Sequence, residues 1–128
     1  MSVFSFLDNV VEVKKNESLT AFFTLKGGEE FLKDHFADFP VMPGVLQLES
    51  LKQAASRLLG GPECRFEKIH SVKYGQFVKP GQRLKVWVRL VNREGRRARF
   101  EGRIDLVGGT APRAVLADFT VAAVSKEF

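Results

Sequence analysis

From Phe66 to its end the chain repeats with a period of two. Leu84, Val86, Val88 and Leu90 alternate with Lys85, Trp87 and Arg89, and Phe100, Gly102, Ile104 and Leu106 alternate with charged residues. Successive strand side chains point to opposite faces, so these segments read as strands buried on one side and wet on the other. Turn chemistry separates them at Pro80-Gly81, at Asn92 to Gly95 and at Gly108-Gly109, which predicts antiparallel strands joined by short connections. The last strand is expected from Ala114 to Val124. A sheet with one apolar face needs a cover.

One long stretch can supply it. Pro43 to Leu59 reads as a helix, with Pro43 in the first turn and Gly60-Gly61 as the C-terminal stop. At 100° per residue Val45, Leu48, Leu51, Ala55, Leu58 and Leu59 fall on one half of the wheel, and Gln47, Ser50 and Arg57 on the other. Upstream, Phe6 to Leu25 predicts an extended segment, a polar turn at Lys15, Asn16 and Glu17, and a strand through LTAFFTL ended by Gly27 and Gly28. A short helical turn around Glu29 to Lys33 is expected next. One enclosed helix with a run of hairpin-linked strands is an α+β arrangement, a curved antiparallel β-sheet wrapped around one long central helix, or hot-dog fold. A single helix covers part of one sheet face, so a dimer that completes the sheet is expected.

The chain has 128 residues, 45% apolar and 27% charged, with no linker or repeat, which predicts one domain over residues 1–128. Cys64 is the single cysteine, and His35 and His70 are the only histidines, so no zinc-type ligand spacing exists and no metal is expected. The opening MSVFSFLDNVVEVKK lacks a basic stretch before its apolar residues and is interrupted by Asp8, unlike a signal peptide. No span reaches the ~18 apolar residues of a membrane helix, and the expected location is cytoplasmic. The net charge of +5 admits nucleic acid, an anionic membrane or an acidic protein as partner. The basic residues lack interleaved stacking aromatics and any nucleic-acid motif, so nucleic acid ranks low.

Chemistry concentrates in HFADFPVMPGVLQLES, where a histidine, two prolines, a glycine and a glutamate sit in a mostly apolar stretch. His35 alone could be a structural histidine held by a backbone carbonyl. Glu49 could form an exposed pair with Lys52; the wheel also sets it in the row of Val45 and Gln53, beside the apolar arc, where burial favours a neutral carboxyl able to donate a proton. Gly44 stands in the first helical turn, where backbone N–H groups are unpaired and no side chain blocks a ligand, an oxyanion site in outline. Base, acid and oxyanion donor are the parts needed to remove an α-proton from a thioester and expel a β-hydroxyl.

The block HFADFPVMPGVLQLESLKQAA resembles the signature of FabZ-type 3-hydroxyacyl-[acyl-carrier-protein] dehydratases. FEKIHSVKYGQFVKPGQRL and FLDNVVEV are similar to further family segments, so the likeness spans most of residues 6 to 121. It implies a hot-dog fold and reversible dehydration of (3R)-hydroxyacyl thioesters to trans-2-enoyl thioesters, with His35 as base and Glu49 as acid. Gly44 and Glu49 follow His35 by nine and fourteen positions, matching the motif, whereas Asp at the Glu49 position would point to FabA-type dehydratase-isomerases. The resemblance also implies a homodimer, or a larger assembly of it, in which one subunit's histidine works with its partner's glutamate beside an acyl tunnel. Gln53 matches a glutamine that supports the acid, and Tyr74 a candidate aromatic gate; an exposed helix glutamine and a packing aromatic are the plain alternatives. No cofactor is implied beyond the phosphopantetheine of acyl carrier protein that carries the acyl thioester.

The chain departs from the family pattern at Ala37-Asp38, where Pro-Gly is usual, at Phe77 in place of proline and at Gln82 in place of aspartate; the opening segment is about two residues shorter. None removes a catalytic group. Lys73, Lys79, Arg83, Lys85 and the cluster Arg93, Arg96, Arg97, Arg99 could meet an acidic carrier protein, or form a solvated strand face and hairpin tip. Two rivals remain. A hot-dog thioesterase would direct water at the same polarised carbonyl, and a noncatalytic acyl-carrier or lipid-binding subunit would bind without turnover. Tunnel depth would depend on side chains such as Phe36, Phe39 and Phe100.

Overall fold

The computed structural model describes residues 7–25, 42–108 and 113–124. In chain order they form β1 (Asn9–Lys14), β2 (Ser18–Thr24), α1 (Gly44–Leu58), β3 (Cys64–Tyr74), β4 (Arg83–Glu94), β5 (Arg97–Leu106) and β6 (Arg113–Ala123). His35, the expected turn at Glu29 to Lys33, Ala37-Asp38, Phe36 and Phe39 lie outside the described residues. The strands make one antiparallel sheet in the order β1-β2-β4-β5-β6-β3, and α1 lies against its inner face. This is the α+β hot-dog arrangement.

The alternation sets the register. Leu19, Ala21 and Phe23 of β2 stand opposite Val88, Val86 and Leu84 of β4, which stand opposite Gly102, Ile104 and Leu106 of β5. Phe100, Gly102 and Ile104 in turn face Phe119, Ala117 and Val115 of β6. Every apolar rung therefore lies on one face, and the Phe100 and Phe119 rings stack there with centroids 5.9 Å apart. Leu51, fully buried, enters this face at its centre. It fits because residue 102 is glycine: a Cβ there would lie 2.9 Å from Leu51 Cδ2 and 3.1 Å from Phe119 Cε1. The missing side chain lets the helix approach the sheet.

Several boundaries differ from expectation. Pro43 is the residue before α1 rather than within its first turn; its extended backbone (φ −58°, ψ 144°) is not helical, while its carbonyl accepts the Leu46 and Gln47 N–H groups. Asn92, Arg93 and Glu94 remain paired in β4, opposite Arg99, Ala98 and Arg97, so the turn is confined to Gly95-Arg96, with Gly95 at φ 59°. The helix wheel needs a larger correction. Val45 is 72% exposed, whereas Gln47 and Ser50, expected on the polar half, are buried. The buried stripe runs through Gln47, Leu48, Ser50, Leu51, Ala54, Ala55 and Leu58. Short-range hydrogen bonds make the polar burial tolerable: Ser50 Oγ donates to the Gln47 carbonyl (2.6 Å) and Gln47 Nε2 to the Met42 carbonyl (3.1 Å).

At the other end of the helix Gly60 and Gly61 take positive φ, 100° and 92°, and turn the chain into β3. Cys64, buried and free, starts that strand; burial pushes its thiol above the usual range, against opposing effects of Ser56, Lys52 and Arg93. Outer-face charges pair off. Arg89 meets Glu101, Arg103 meets Asp105, and Arg99 grips Asp118 with two bonds of 2.9 and 2.7 Å. The Arg99 guanidinium holds the Asp118 carboxyl below its ordinary range. That stabilisation is present above the unfolded carboxyl's titration and is lost as pH falls through the lowered folded value. Wild type should thus melt above Asp118→Asn at pH 7, and the two melting curves should converge in acid; a constant gap down to pH 2 would contradict the pair.

Candidate active site

Three segments meet at the N-terminus of α1. Met42, buried just ahead of it, donates its N–H to the Val78 carbonyl (2.8 Å), which ties the helix start to the chain leaving β3. That chain is itself fixed to β6: Gly75 N–H donates to the Ala114 carbonyl (2.8 Å) and Gln76 N–H to the Arg113 carbonyl (3.0 Å). The helix start is thus rigidly placed. Among the described residues its first turn has no acidic residue and no side-chain cap, so none of them competes with an incoming oxygen for the leading N–H groups and the positive end of the helix dipole.

Tyr74 stands over this end. A Cβ on Gly44 would lie 2.8 Å from both Cζ and Oη of Tyr74, so only glycine admits the phenol this close to the helix backbone. Burial pushes the Tyr74 hydroxyl above its ordinary range, which leaves it a neutral hydrogen-bond donor at physiological pH. Its ring is still half exposed. The contact gives a double-mutant test. Gly44→Ala should destabilise the protein, and adding Tyr74→Ala should remove most of that added cost, because the clash is with the phenol tip; strictly additive effects on melting would place the clash elsewhere.

Glu49 lies on the helix face turned away from its own sheet. Its side chain is partly covered, with Oε1 2.9 Å from Lys52 Nζ and Oε2 accepting from Gln53 Nε2 at 3.3 Å. Glu49 thus contacts both Lys52 and Gln53, and the Lys52 pair is partly covered rather than exposed. Glu49 follows Gly44 by five residues, about 140° round the helix and roughly 7.5 Å along it. Within one chain Glu49 and Gly44 therefore lie on different faces of the helix. Val45, one turn before Glu49, shares its outward row.

Nothing in the residue pattern flags Gln47, which falls on the polar half of the wheel, yet its Oε1 is buried with no hydrogen-bond partner among the described residues. The Tyr74–Gly44 contact joins residues thirty positions apart, and only the shared resemblance linked them. Of the basic cluster, Arg97 pairs with Glu67 and Arg99 with Asp118, while Arg83 lies 4.6 Å from the Phe22 ring centroid. Among the described residues no group of three or more His, Cys, Asp or Glu could hold a metal, and no helix is long and apolar enough to cross a membrane.

Residues 11–107 match the family of ApeI-like dehydratases. The chain is 34% identical over 119 residues to the 3-hydroxyacyl-[acyl-carrier-protein] dehydratase FabZ of Lactococcus lactis subsp. cremoris, covering 88% of this chain and 82% of that one. It is 31% identical over 125 residues to the enzyme of the same name from Oceanobacillus iheyensis, covering 87% and 84%. Among solved structures, the dehydratase heterocomplex ApeI:P from Xenorhabdus doucetiae superposes with a TM-score of 0.76 at 20% identity, over 94% of this chain and 99% of that one. The smu.793 protein of Streptococcus mutans, bound to acetyl CoA, superposes with a TM-score of 0.72 at 14% identity, over 100% and 96%. These two likenesses concern the fold.

Proposed function

Because this chain belongs to the family of ApeI-like and FabZ-type dehydratases, we propose that it is a hydro-lyase that converts (3R)-3-hydroxyacyl-[acyl-carrier-protein] to the trans-2-enoyl form in fatty acid or related acyl-chain biosynthesis. The observation that carries this reading is the N-terminus of α1 at Gly44, whose first turn holds no acidic residue and no side-chain cap among the described residues, and against which the neutral Tyr74 phenol packs. A thioester oxygen placed there would meet the Gly44 N–H as negative charge develops on it. His35 would take the C2 proton, the electron pair would move into the C2–C3 bond, and Glu49 would protonate the departing 3-hydroxyl as water. The imidazolium and carboxylate left behind reset by returning one proton through solvent. The C2–H and C3–O bonds break, the C2–C3 double bond and water form, and no net change of oxidation state occurs, so the proposal invokes no metal or redox cofactor.

Glu49 lies on the helix face turned away from its own sheet, about 140° round from Gly44, which favours a site shared between two subunits, with the acid supplied by a partner. The long edge strand β3 offers the means. It spans eleven residues, pairs only with β6 among the described strands, and exposes Ile69 and Tyr74. Pairing β3 with β3 of a second copy would continue the sheet and bring two helices side by side. A carrier-borne substrate fits a cytoplasmic enzyme.

The test is hydration of trans-2-enoyl thioesters of graded length on acyl carrier protein, and the reverse dehydration. Wild type should interconvert the two without releasing thiol. Thiol release in place of hydration would make the protein a thioesterase, and tight carrier binding without turnover would make it a noncatalytic subunit.

A further inference from the structure

The end of the sheet farthest from Gly44 holds a pocket of about 280 Å³ lined by Arg65, Glu67, Arg96, Arg97, Ala122, Ala123 and Val124. Its walls are fixed by main-chain bonds: Ala123 N–H donates to the Arg96 carbonyl and Val124 N–H to the Glu63 carbonyl, each at 2.8 Å. Inside it Arg97 is already satisfied, its Nε lying 2.8 and 3.1 Å from the two Glu67 carboxylate oxygens. Arg65 and Arg96 are different. Both are exposed, and neither meets a carboxylate among the described residues, whereas Arg89, Arg97, Arg99 and Arg103 each do. The pocket is a fixed concavity with two uncommitted guanidinium groups, whose planar forks suit a carboxylate.

Position gives it a role. Arg65 and Tyr74 stand nine positions apart on β3, roughly 30 Å at ~3.3 Å per residue, so within one chain the pocket is remote from the candidate active site. An antiparallel β3–β3 pairing centred near Ile69, the middle of the strand, reverses that. It sets Arg65 of one copy across from the Lys73–Tyr74 end of the other. We propose that the Arg65–Arg96 pocket of one subunit receives an acidic side chain of the acyl carrier protein while the carrier delivers its thioester to the Tyr74–Gly44 mouth of the other. This rests on the dehydratase and dimer readings above, and it moves the docking charge away from Arg97 and Arg99, which internal carboxylates already occupy.

The experiment compares wild type with Arg65→Glu/Arg96→Glu. Affinity for holo-acyl carrier protein is measured by titration at low and high salt, and KM and kcat are measured with the same enoyl group on carrier protein, on 4′-phosphopantetheine and on pantetheine. Charge reversal should weaken carrier binding and raise KM for the carrier substrate by about tenfold or more, flatten the salt dependence, and leave both small thioesters unchanged. An unchanged carrier affinity overturns the proposal. So does an equal rise in KM for phosphopantetheine, which would make the ligand the phosphate, or for pantetheine, which would make the arginines part of the shared active site. Should wild type turn over none of the three, the dehydratase reading fails, and the binding titration still decides the pocket.

Discussion

Glu49→Gln is expected to lower kcat/KM for enoyl hydration by about 10²- to 10⁴-fold, the usual worth of a positioned general acid or base. The amide keeps the size of the side chain and its place beside Gln53 but carries no proton to give; what it loses structurally is a helix-surface pair with Lys52, worth a few tenths of a kcal/mol. Melting should therefore be nearly unchanged, which separates loss of chemistry from loss of fold. His35→Ala should fail to a similar degree. Mixing the two inactive variants sharpens the result. If base and acid come from different subunits, half of the randomly assorted dimers contain one intact site, and about a quarter of the wild-type activity should return. A Glu49→Gln enzyme retaining more than about a tenth of the wild-type rate would reduce Glu49 to a partner of Lys52.

Gly75→Ala should be the most damaging small substitution on the sheet, at about 3 kcal/mol, from overpacking and the loss of neighbouring hydrogen bonds. A Cβ at residue 75 would overlap the main-chain carbonyl oxygen of Arg113. Backbone cannot rotate aside as the tip of a side chain can. Relief requires parting the strands where Gly75 and Gln76 bond to Ala114 and Arg113, and those bonds also anchor the chain that holds Met42 and the helix start. The melting temperature should fall by roughly 10 °C at matched protein concentration. Gly102→Ala offers the contrast. Its Cβ would meet the flexible end of Leu51 and the edge of the Phe119 ring, which can shift, so a smaller fall is expected. Equal falls would mean that the Arg113 carbonyl yields more easily than its bonds suggest.

The period-two alternation made the sheet legible, because Leu84–Val86–Val88 and Phe100–Gly102–Ile104 each bury one face and cross-strand register follows from that. The helix boundaries were nearly as readable from Pro43 and Gly60-Gly61. The helix face was not. A wheel ranks residues by their own polarity, whereas Gln47 and Ser50 are buried by the sheet that surrounds them and bond to nearby carbonyls, while Val45 points outward. At the candidate site Glu49 and Gln53 could be linked by their spacing of one turn, and the structure joins them. The Tyr74–Gly44 contact depends on where β3 ends relative to α1, a property of the packed whole. Likewise, charge counting grouped Arg96, Arg97 and Arg99, and only strand register shows that two of them are spent on Glu67 and Asp118.

Cys64 makes the protein its own reporter. Its thiol is buried at the seam between the end of α1 and the start of β3, and its burial disfavours the thiolate that alkylating reagents attack. Labelling should proceed only through transient opening of that seam, so its rate measures how often the seam parts under native conditions. The cysteine lies at one end of β3 and Gly75 just beyond the other. If Gly75→Ala accelerates labelling as much as it lowers global stability, β3 leaves the sheet as a single unit; if labelling barely changes, the strand peels from its Tyr74 end while the Cys64 end stays zipped.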